Sequence, residues 1–347
     1  MHNLQSLNAL GWQAFFQQQL LLEEWDQVLP ARVMEQNKSE VKVATGSQDI
    51  TLALNHKMPS IVVGDWILLD EQQHFFRLLE RKTCFVRKAP GSKVKEQLIS
   101  ANVDTAFIVC SMNDDFNLNR LERFLSLVNE AGAEPVVILS KSDQASAPQE
   151  FMNAVHSIDP LLMVEAVNCL DPNNTQALSP WIKQGATIAV LGSSGVGKST
   201  LINTLTGESL QSTNSIREDD SKGRHTTTRR SLITLQGGGL ILDTPGMREI
   251  QLAHCQEGIA TTFADIEAFS QQCRFGDCHH HGEPGCAIER AIASGELNIR
   301  RLENYQKLLK EEALNSANLA QRRADDKALG KFYKRTLAQA TKLKGRS

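Results

Sequence analysis

Residues Gly192 to Thr200 read GSSGVGKST. This is a G-x-x-x-x-G-K-[ST] loop, and the chemistry it offers is phosphate binding. Gly192, Gly195 and Gly197 permit positive φ and close backbone approach, so that amide N–H groups along Ser193, Ser194 and Val196 can surround phosphate oxygens. A helix starting near Lys198 adds its positive dipole end. Lys198 is expected to reach the β- and γ-phosphates, with Ser199 and Thr200 behind it and the Ser199 hydroxyl on Mg²⁺.

Three further segments fit a nucleotide site. Asp243-Thr244-Pro245-Gly246 follows the apolar run Leu240-Ile241-Leu242, 51 residues after Gly192. A carboxylate at that strand end can hold Mg²⁺, and the Gly246 N–H can sense a γ-phosphate. Between them, Arg217 to Arg230 is too polar for a core, and a hydroxyl of Thr227 or Thr228 could complete the Mg²⁺ shell. Base choice falls to Ser140-Lys141-Ser142-Asp143, where Asp143 can accept two hydrogen bonds from guanine N1–H and N2–H₂ that adenine cannot offer. The Lys141 stem can lie along the ring. In this chain the base-selecting residues precede the phosphate loop, an inverted order. After the Asp243 turn stands Met247, a thioether that can neither orient nor deprotonate water, so intrinsic hydrolysis is expected to be slow. His225 is the expected later-arriving group.

A second cluster, Cys273-x4-Cys278-x-His280-x5-Cys286, offers three thiolates and an imidazole, the donor set of a closed structural Zn²⁺ site. On spacing alone His279 and His281 rival His280. Seven cysteines, an odd number, argue against a disulfide framework.

The elements that must position these groups change character along the chain. Residues 1–24 read as a short helical extension. Short β-rich runs between 25 and 90 (around Val33, Val41, Ile50, Trp66 and Phe75) suit a five-stranded barrel of OB type, with Phe75, Phe76 and Trp66 in its core. Lys42, Lys57, Arg77, Arg81, Lys82, Arg87 and Lys88 could give that barrel a basic surface. Residues 88–100 read as a Pro/Gly/Lys linker. Strand and helix then alternate: strands 103–110, 135–139, 161–167 and 187–191, helices 118–131, 148–157 and 198–206, then strands 231–235 and 239–242. Continuous apolar strands such as Val136 to Leu139 predict a parallel sheet covered on both faces. Helix 198–206 is expected to stop at Gly207.

Net charge is −3, but from Glu296 onward 13 Lys and Arg stand against 6 Asp and Glu, which hints at a polyanionic partner for the tail (Arg322, Arg323, Lys327, Lys331, Lys334, Arg335). No apolar run is long enough to cross a bilayer and no secretory signal is evident, so the cytoplasm is expected.

Taken together, GSSGVGKST, Lys222 to Arg230 (KGRHTTTRR), Asp243 to Glu249 (DTPGMRE) and the C-x4-C-x-H-x5-C cluster resemble the RsgA/YjeQ family of circularly permuted GTPases. The resemblance implies a multidomain chain: an OB-fold over 25–90, a permuted α/β GTPase domain over 91–252, and a zinc-binding domain with a basic helical tail over 253–347. It implies GTP hydrolysis to GDP and phosphate in late maturation of the small (30S) ribosomal subunit, with 16S rRNA as partner and a monomer as the working form. On the family pattern the zinc ligands are Cys273, Cys278, His280 and Cys286. Lys198, His225 and Thr228 are the expected catalytic residues, and Ser199, Thr227, Thr228 and Asp243 the Mg²⁺ residues. Ser140 replaces the usual Asn that ties the base loop to the phosphate loop, so weaker or less selective guanine binding is expected. The alternative is a ribosome-binding assembly chaperone with residual GTPase activity; an ATPase or small-molecule kinase would use the same phosphate loop.

Overall fold

The computed structural model describes residues 4–88, 96–207, 230–243 and 254–316. Helices α1 (Leu4–Ala9) and α2 (Ala14–Gln17) come first, then strands β1 (Leu29–Gln36), β2 (Glu40–Ala44), β3 (Asp49–Ala53), β4 (Trp66–Leu69) and β5 (Phe75–Leu78). β1 is the hub of these strands: it pairs antiparallel with both β2 and β4, while β3 adds to β2 and β5 to β4. The result is a small, partly open barrel, filled by Ala31, Val33, Val41, Val43, Ile61, Ile67 and Leu69.

The described part of the N-terminal extension is helical, as expected, and packs on the strands. Leu7, Trp12, Phe16 and Leu20 are buried against Trp66, Leu68 and Leu79 on the outside of the barrel, with the Trp12 ring 4.8 Å from that of Trp66. Trp66 is therefore core as expected, whereas Phe76 is about half exposed because β5 turns it to solvent.

Strands β6 (Cys84–Lys88) and β7 (Glu96–Ala101) pair antiparallel as a separate two-stranded sheet. The expected linker over 88–100 is thus corrected: its second half is a strand whose mixed polar sequence hides a buried face, Ile99 and Ala101 being almost fully covered.

There follow β8 (Thr105–Ser111), α3 (Leu118–Ala131), β9 (Glu134–Ser140), α4 (Pro148–His156), β10 (Met163–Val167), β11 (Thr187–Leu191), α5 (Lys198–Thr206), β12 (Arg230–Thr234) and β13 (Leu240–Asp243). The strand order is β10-β9-β8-β11-β13-β12, parallel except for β12. Apolar residues on both faces of these strands bury against helices, which is why their runs are continuous. α5 ends at Gly207 with φ 72°, the left-handed stop its position predicts.

The barrel and this sheet are continuous, since Glu35 and Gln36 of β1 pair with Ser231 and Arg230 of β12. Arg32 fastens the same seam. Its buried guanidinium donates to the Asn102 carbonyl at 3.0 Å, to Thr187 Oγ1 at 2.7 Å and to the Leu10 carbonyl, and burial lowers its pKa to about 10. The base of the phosphate-loop strand is therefore gripped from the barrel.

The remaining helices are α6 (Gln256–Thr262), α7 (Ala264–Ser270), α8 (Ala287–Ser294) and α9 (Ile299–Ser316). Ile259, Phe263, Ile266, Ile288, Leu302 and Leu308 join one core with Leu121, Leu125 and Val128 of α3. α6 lies so close to α3 that a Cβ on Gly258 would meet the Ser126 carbonyl at 2.1 Å. A metal is therefore not the sole core of the described C-terminal helices; the loop around 271–285 is largely exposed, with Cys273 and Cys278 reaching the edge of that core.

Candidate functional site

In a parallel sheet the side chains that bind ligands collect beyond the carboxyl ends of the strands. Four ends meet here: β9 at Ser140, β8 at Ser111, β11 at Leu191 and β13 at Asp243. Register aligns them, with Ser111 opposite Ser140, Leu191 opposite Ile108 and Leu242 opposite Ala189. The two motifs that the chain presents in inverted order therefore end at one edge. Asp243 closes the strand beside that of the phosphate loop; its side chain lies outside what the structure describes. Gly246, Met247, His225, Thr227 and Thr228 also lie outside the described residues.

The phosphate loop turns immediately after β11. Gly192 has φ 140°, and a Cβ there would meet the Val109 carbonyl at 2.4 Å, so only glycine fits against β8. Gly195 and Gly197 also have positive φ. Ser194 and Gly195 are exposed on the rim, Val196 and Lys198 are buried, and Ser193, Ser199 and Thr200 are half-buried at the start of α5. Lys198 Nζ donates to the Ser193 carbonyl. Its ammonium is thus folded across the loop that its charge would serve.

Ser140 does what its replacement of Asn puts in question. The side chain is fully buried, and its hydroxyl donates to the Val196 carbonyl at 2.6 Å, inside the phosphate loop. The Cys110 carbonyl lies 3.3 Å from the same oxygen. A serine carries one proton where an asparagine amide carries two, so it makes one strong tie instead of two. The shorter side chain still ties the base loop to the phosphate loop, because β9 and the loop lie this close.

Beyond Ser140, Lys141 takes φ 60°, a left-handed turn that half-buries its stem and leaves Asp143 exposed at the rim. The Ser142 N–H faces the Val167 carbonyl at 3.4 Å. The next loop completes the wall. Thr204 of α5 donates to the Cys169 carbonyl at 2.6 Å, and the Asn168 side chain accepts from Leu170 N–H at 3.0 Å. Burial, with Asp143 nearby, pushes the Cys169 thiol up to about 11, so it stays a neutral packing group. Leu170 itself is mostly exposed at this rim. Thr204 was invisible to motif reasoning, since it belongs to no short signature.

The second site also assembles. The ligand atoms of Cys273, Cys278, His280 and Cys286 all lie within 4.8 Å of one another. His280 Nδ1 is 3.7 Å from Cys273 Sγ and 3.5 Å from Cys286 Sγ. Ligands bound tetrahedrally at roughly 2.0–2.3 Å stand about 3.5–3.8 Å apart, so the donors fit one small cation. His280 reaches inward through a left-handed turn, φ 62°, while His279 and His281 are exposed. Their N–H groups donate instead to Glu283, at 2.9 and 2.6 Å, which holds that carboxyl down to about 2. Cys286 caps α8, and the Ala287 N–H points at Cys273 Sγ from 3.4 Å. Burial opposes the Cys273 thiolate, but hydrogen bonds from the Ala287 and Ile288 amides and from the Cys278 and Cys286 thiols together lower its pKa, while burial pushes Cys278 up to about 11.

Four of the seven cations expected to give the barrel a basic surface are paired with carboxylates of the fold. Arg77 pairs with Glu24 at 2.7 Å, Arg81 with the buried Asp65 at 2.7 Å, Lys42 with Glu35 at 3.2 Å and Lys82 with Asp104 at 3.5 Å. Their charges are mostly spent within the fold. The basic tail lies outside the described residues.

Residues 78–253 match the family model described as RsgA GTPase. The chain is 53% identical over 336 residues to a small ribosomal subunit biogenesis GTPase RsgA 2 of Vibrio parahaemolyticus, covering 97% of this chain and 94% of that one. It is 42% identical to a small ribosomal subunit biogenesis GTPase RsgA of Xanthomonas axonopodis, over 91% of this chain and 88% of the relative. In fold it is similar to YjeQ from Thermotoga maritima, with a TM-score of 0.61 at 24% identity over 82% of this chain and 98% of that one. A structure titled as YloQ, a circularly permuted GTPase, gives 0.60 at 21% identity over 86% of this chain and all of the other.

Proposed function

Because the chain belongs to the RsgA GTPase family, we propose that it is a GTP hydrolase that acts in biogenesis of the small ribosomal subunit, as its relatives are named. One observation carries this reading: the Ser140 hydroxyl on the Val196 carbonyl, which couples the base-selecting loop to the phosphate loop in spite of their inverted order.

In this reading Asp143 accepts the two guanine N–H groups while the Lys141 stem and Leu170 flank the ring. Amides from Gly192 to Thr200 hold the phosphates. Lys198 leaves the Ser193 carbonyl for the β–γ oxygens, where charge develops as the γ-phosphoryl departs. Ser199, Asp243 and Thr227 or Thr228 would hold Mg²⁺, which when bound neutralises phosphate charge. Gly246, Thr228 and His225 complete the proposed γ-phosphate side. Met247 supplies no base, so turnover is slow until the subunit docks.

The C-terminal cluster is read as a structural Zn²⁺ site: its four protein donors leave no open position for chemistry. The division at 25–90, 91–252 and 253–347, contact with 16S rRNA, a cytoplasmic location and a monomeric form belong to the same reading. No helix among the described residues is long and apolar enough to cross a membrane, which accords with it. The test is GTP turnover by the purified chain with and without 30S particles, with ATP as competitor. Turnover that 30S leaves unchanged, or ATP competing as well as GTP, would contradict it.

A further inference from the structure

The side of the phosphate loop away from the base loop is held by a residue that no motif includes. Arg120 stands in the first turn of α3, two positions before the fully buried Glu122. Its Nη1 lies 2.9 Å from Asp115 Oδ2 and 2.9 Å from Ser193 Oγ, the second residue of the loop. Ser193 is thereby gripped twice, its hydroxyl by Arg120 and its carbonyl by Lys198. A small cleft lined by Cys110, Asp115, Asn117, Phe124, Ser193 and Val196 adjoins the contact, and Arg120 itself is partly exposed at its edge.

The anchor is itself fixed. Asn117 caps α3 by accepting the Arg120 N–H at 3.0 Å. From the opposite side Arg300 grips Glu122 with two bonds of 2.8 and 2.9 Å, Arg301 adds one of 2.9 Å, and Asn304 adds a fourth at 2.5 Å. The first turn of α3 is thus clamped between α9 and the phosphate loop.

We infer that Arg120 is a positioning residue for the phosphate loop, and that through Ser193 it favours the triphosphate over the diphosphate. The downstream half of the loop opens α5, whose helix start and Lys198 already define a place for the β-phosphate. The upstream half, Ser193 and Ser194, precedes that helix start; among the described residues, the side chains of Arg120 and Lys198 hold Ser193. When Lys198 moves to the phosphates, Arg120 becomes the remaining tie on Ser193. Holding that half costs least when Arg120 has already ordered it, and the gain is felt by the added γ-phosphate and its charge.

This inference rests on the proposed GTP site, so the experiment separates the two. Kd for GTP and for GDP is measured on the full chain for wild type, Arg120→Ala, Arg120→Lys, Ser193→Ala and the Arg120→Ala/Ser193→Ala double variant, with Tm for each. A hydrogen bond to a charged group at a half-exposed position predicts about tenfold weaker GTP binding in either single variant and less than about threefold for GDP. The double variant falls no further than the singles, as one shared contact requires. Arg120→Lys recovers part of the loss, because an ammonium can reach Ser193 or Asp115 but does not fork between them as well. Equal losses for GTP and GDP, additive losses in the double variant, or no loss in Ser193→Ala would overturn the inference while leaving the GTPase reading intact. Should Arg120→Ala lose its fold, the Ser193→Ala comparison decides alone. Failure of the wild type to bind GTP would instead remove the proposed function.

Discussion

Ser140→Ala isolates the contact on which the nucleotide site depends. The substitution deletes one hydroxyl at a fully buried position and leaves the Val196 carbonyl, itself in a nearly buried residue, without its 2.6 Å donor. Removing the donor of a buried hydrogen bond, so that its acceptor is left unpaired, costs about 1–3 kcal/mol. That cost, ~2 kcal/mol, divides between folding and binding, because the tie exists before nucleotide arrives. We expect a fall of ~1 kcal/mol in unfolding free energy from urea titration, and guanine-nucleotide affinity weaker by about tenfold in fluorescence titration with a labelled GDP. ATP competition, poor in wild type, becomes relatively stronger as the Asp143 loop loosens. Ser140→Asn supplies two protons for the Val196 and Cys110 carbonyls, 2.6 and 3.3 Å from the present oxygen, and should bind at least as well as wild type. An Ala variant with unchanged stability and unchanged affinity would refute the coupling of the two loops.

Loading the proposed site with Zn²⁺ should protect Cys273, Cys278 and Cys286 from a thiol reagent, and chelation should release them, while Cys110 and Cys255, pushed up by burial to about 12, stay unreactive; thiol counting before and after chelation reads this directly. Glu122→Ala removes the acid beneath Arg300 and Arg301 and should destabilise by roughly 3 kcal/mol, measured by urea unfolding, because Arg301 is left buried with Asp265 alone. Arg77 holds the Glu24 carboxyl below its ordinary 4.5, so that pair stabilises above that pH and the contribution fades as pH falls through the lowered value. Glu24→Gln should therefore be less stable than wild type by about 1 kcal/mol at pH 7, with the gap starting to close only below pH 4.5 and vanishing below the lowered pKa. Asp143→Asn should lose guanine preference, read as the ratio of GTP to ATP Kd.

Where local physics decided the structure, the sequence was legible. β11, the phosphate loop and α5 follow from a continuous apolar run, three glycines and the stop at Gly207, and they occupy the residues expected. The Cys/His cluster was equally readable, because ligand spacing survives whatever surrounds it. Contacts between distant segments were not. β7 looked like linker because Glu96, Gln97 and Ser100 mask a strand that only its pairing with β6 defines. The barrel cations looked like an RNA surface because Glu24, Asp65 and Asp104 lie far from them along the chain. The bond from Ser140 to Val196 was not legible because residue type says nothing of a 2.6 Å approach, and Arg120 belongs to no pattern at all. The helices after Cys255 read as a metal-held domain, since their share of the α3 core is visible only once α6 and α9 have docked on it.

The most direct measurement is a crystal structure of the chain with Mg²⁺ and a non-hydrolysable GTP analogue. Asp143 should lie about 3 Å from guanine N1 and N2 while Lys198 meets the β–γ oxygens and Ser140 keeps its bond to Val196. A base seated away from Asp143, with the phosphates still in the loop, would contradict the claim that the two inverted motifs form one site.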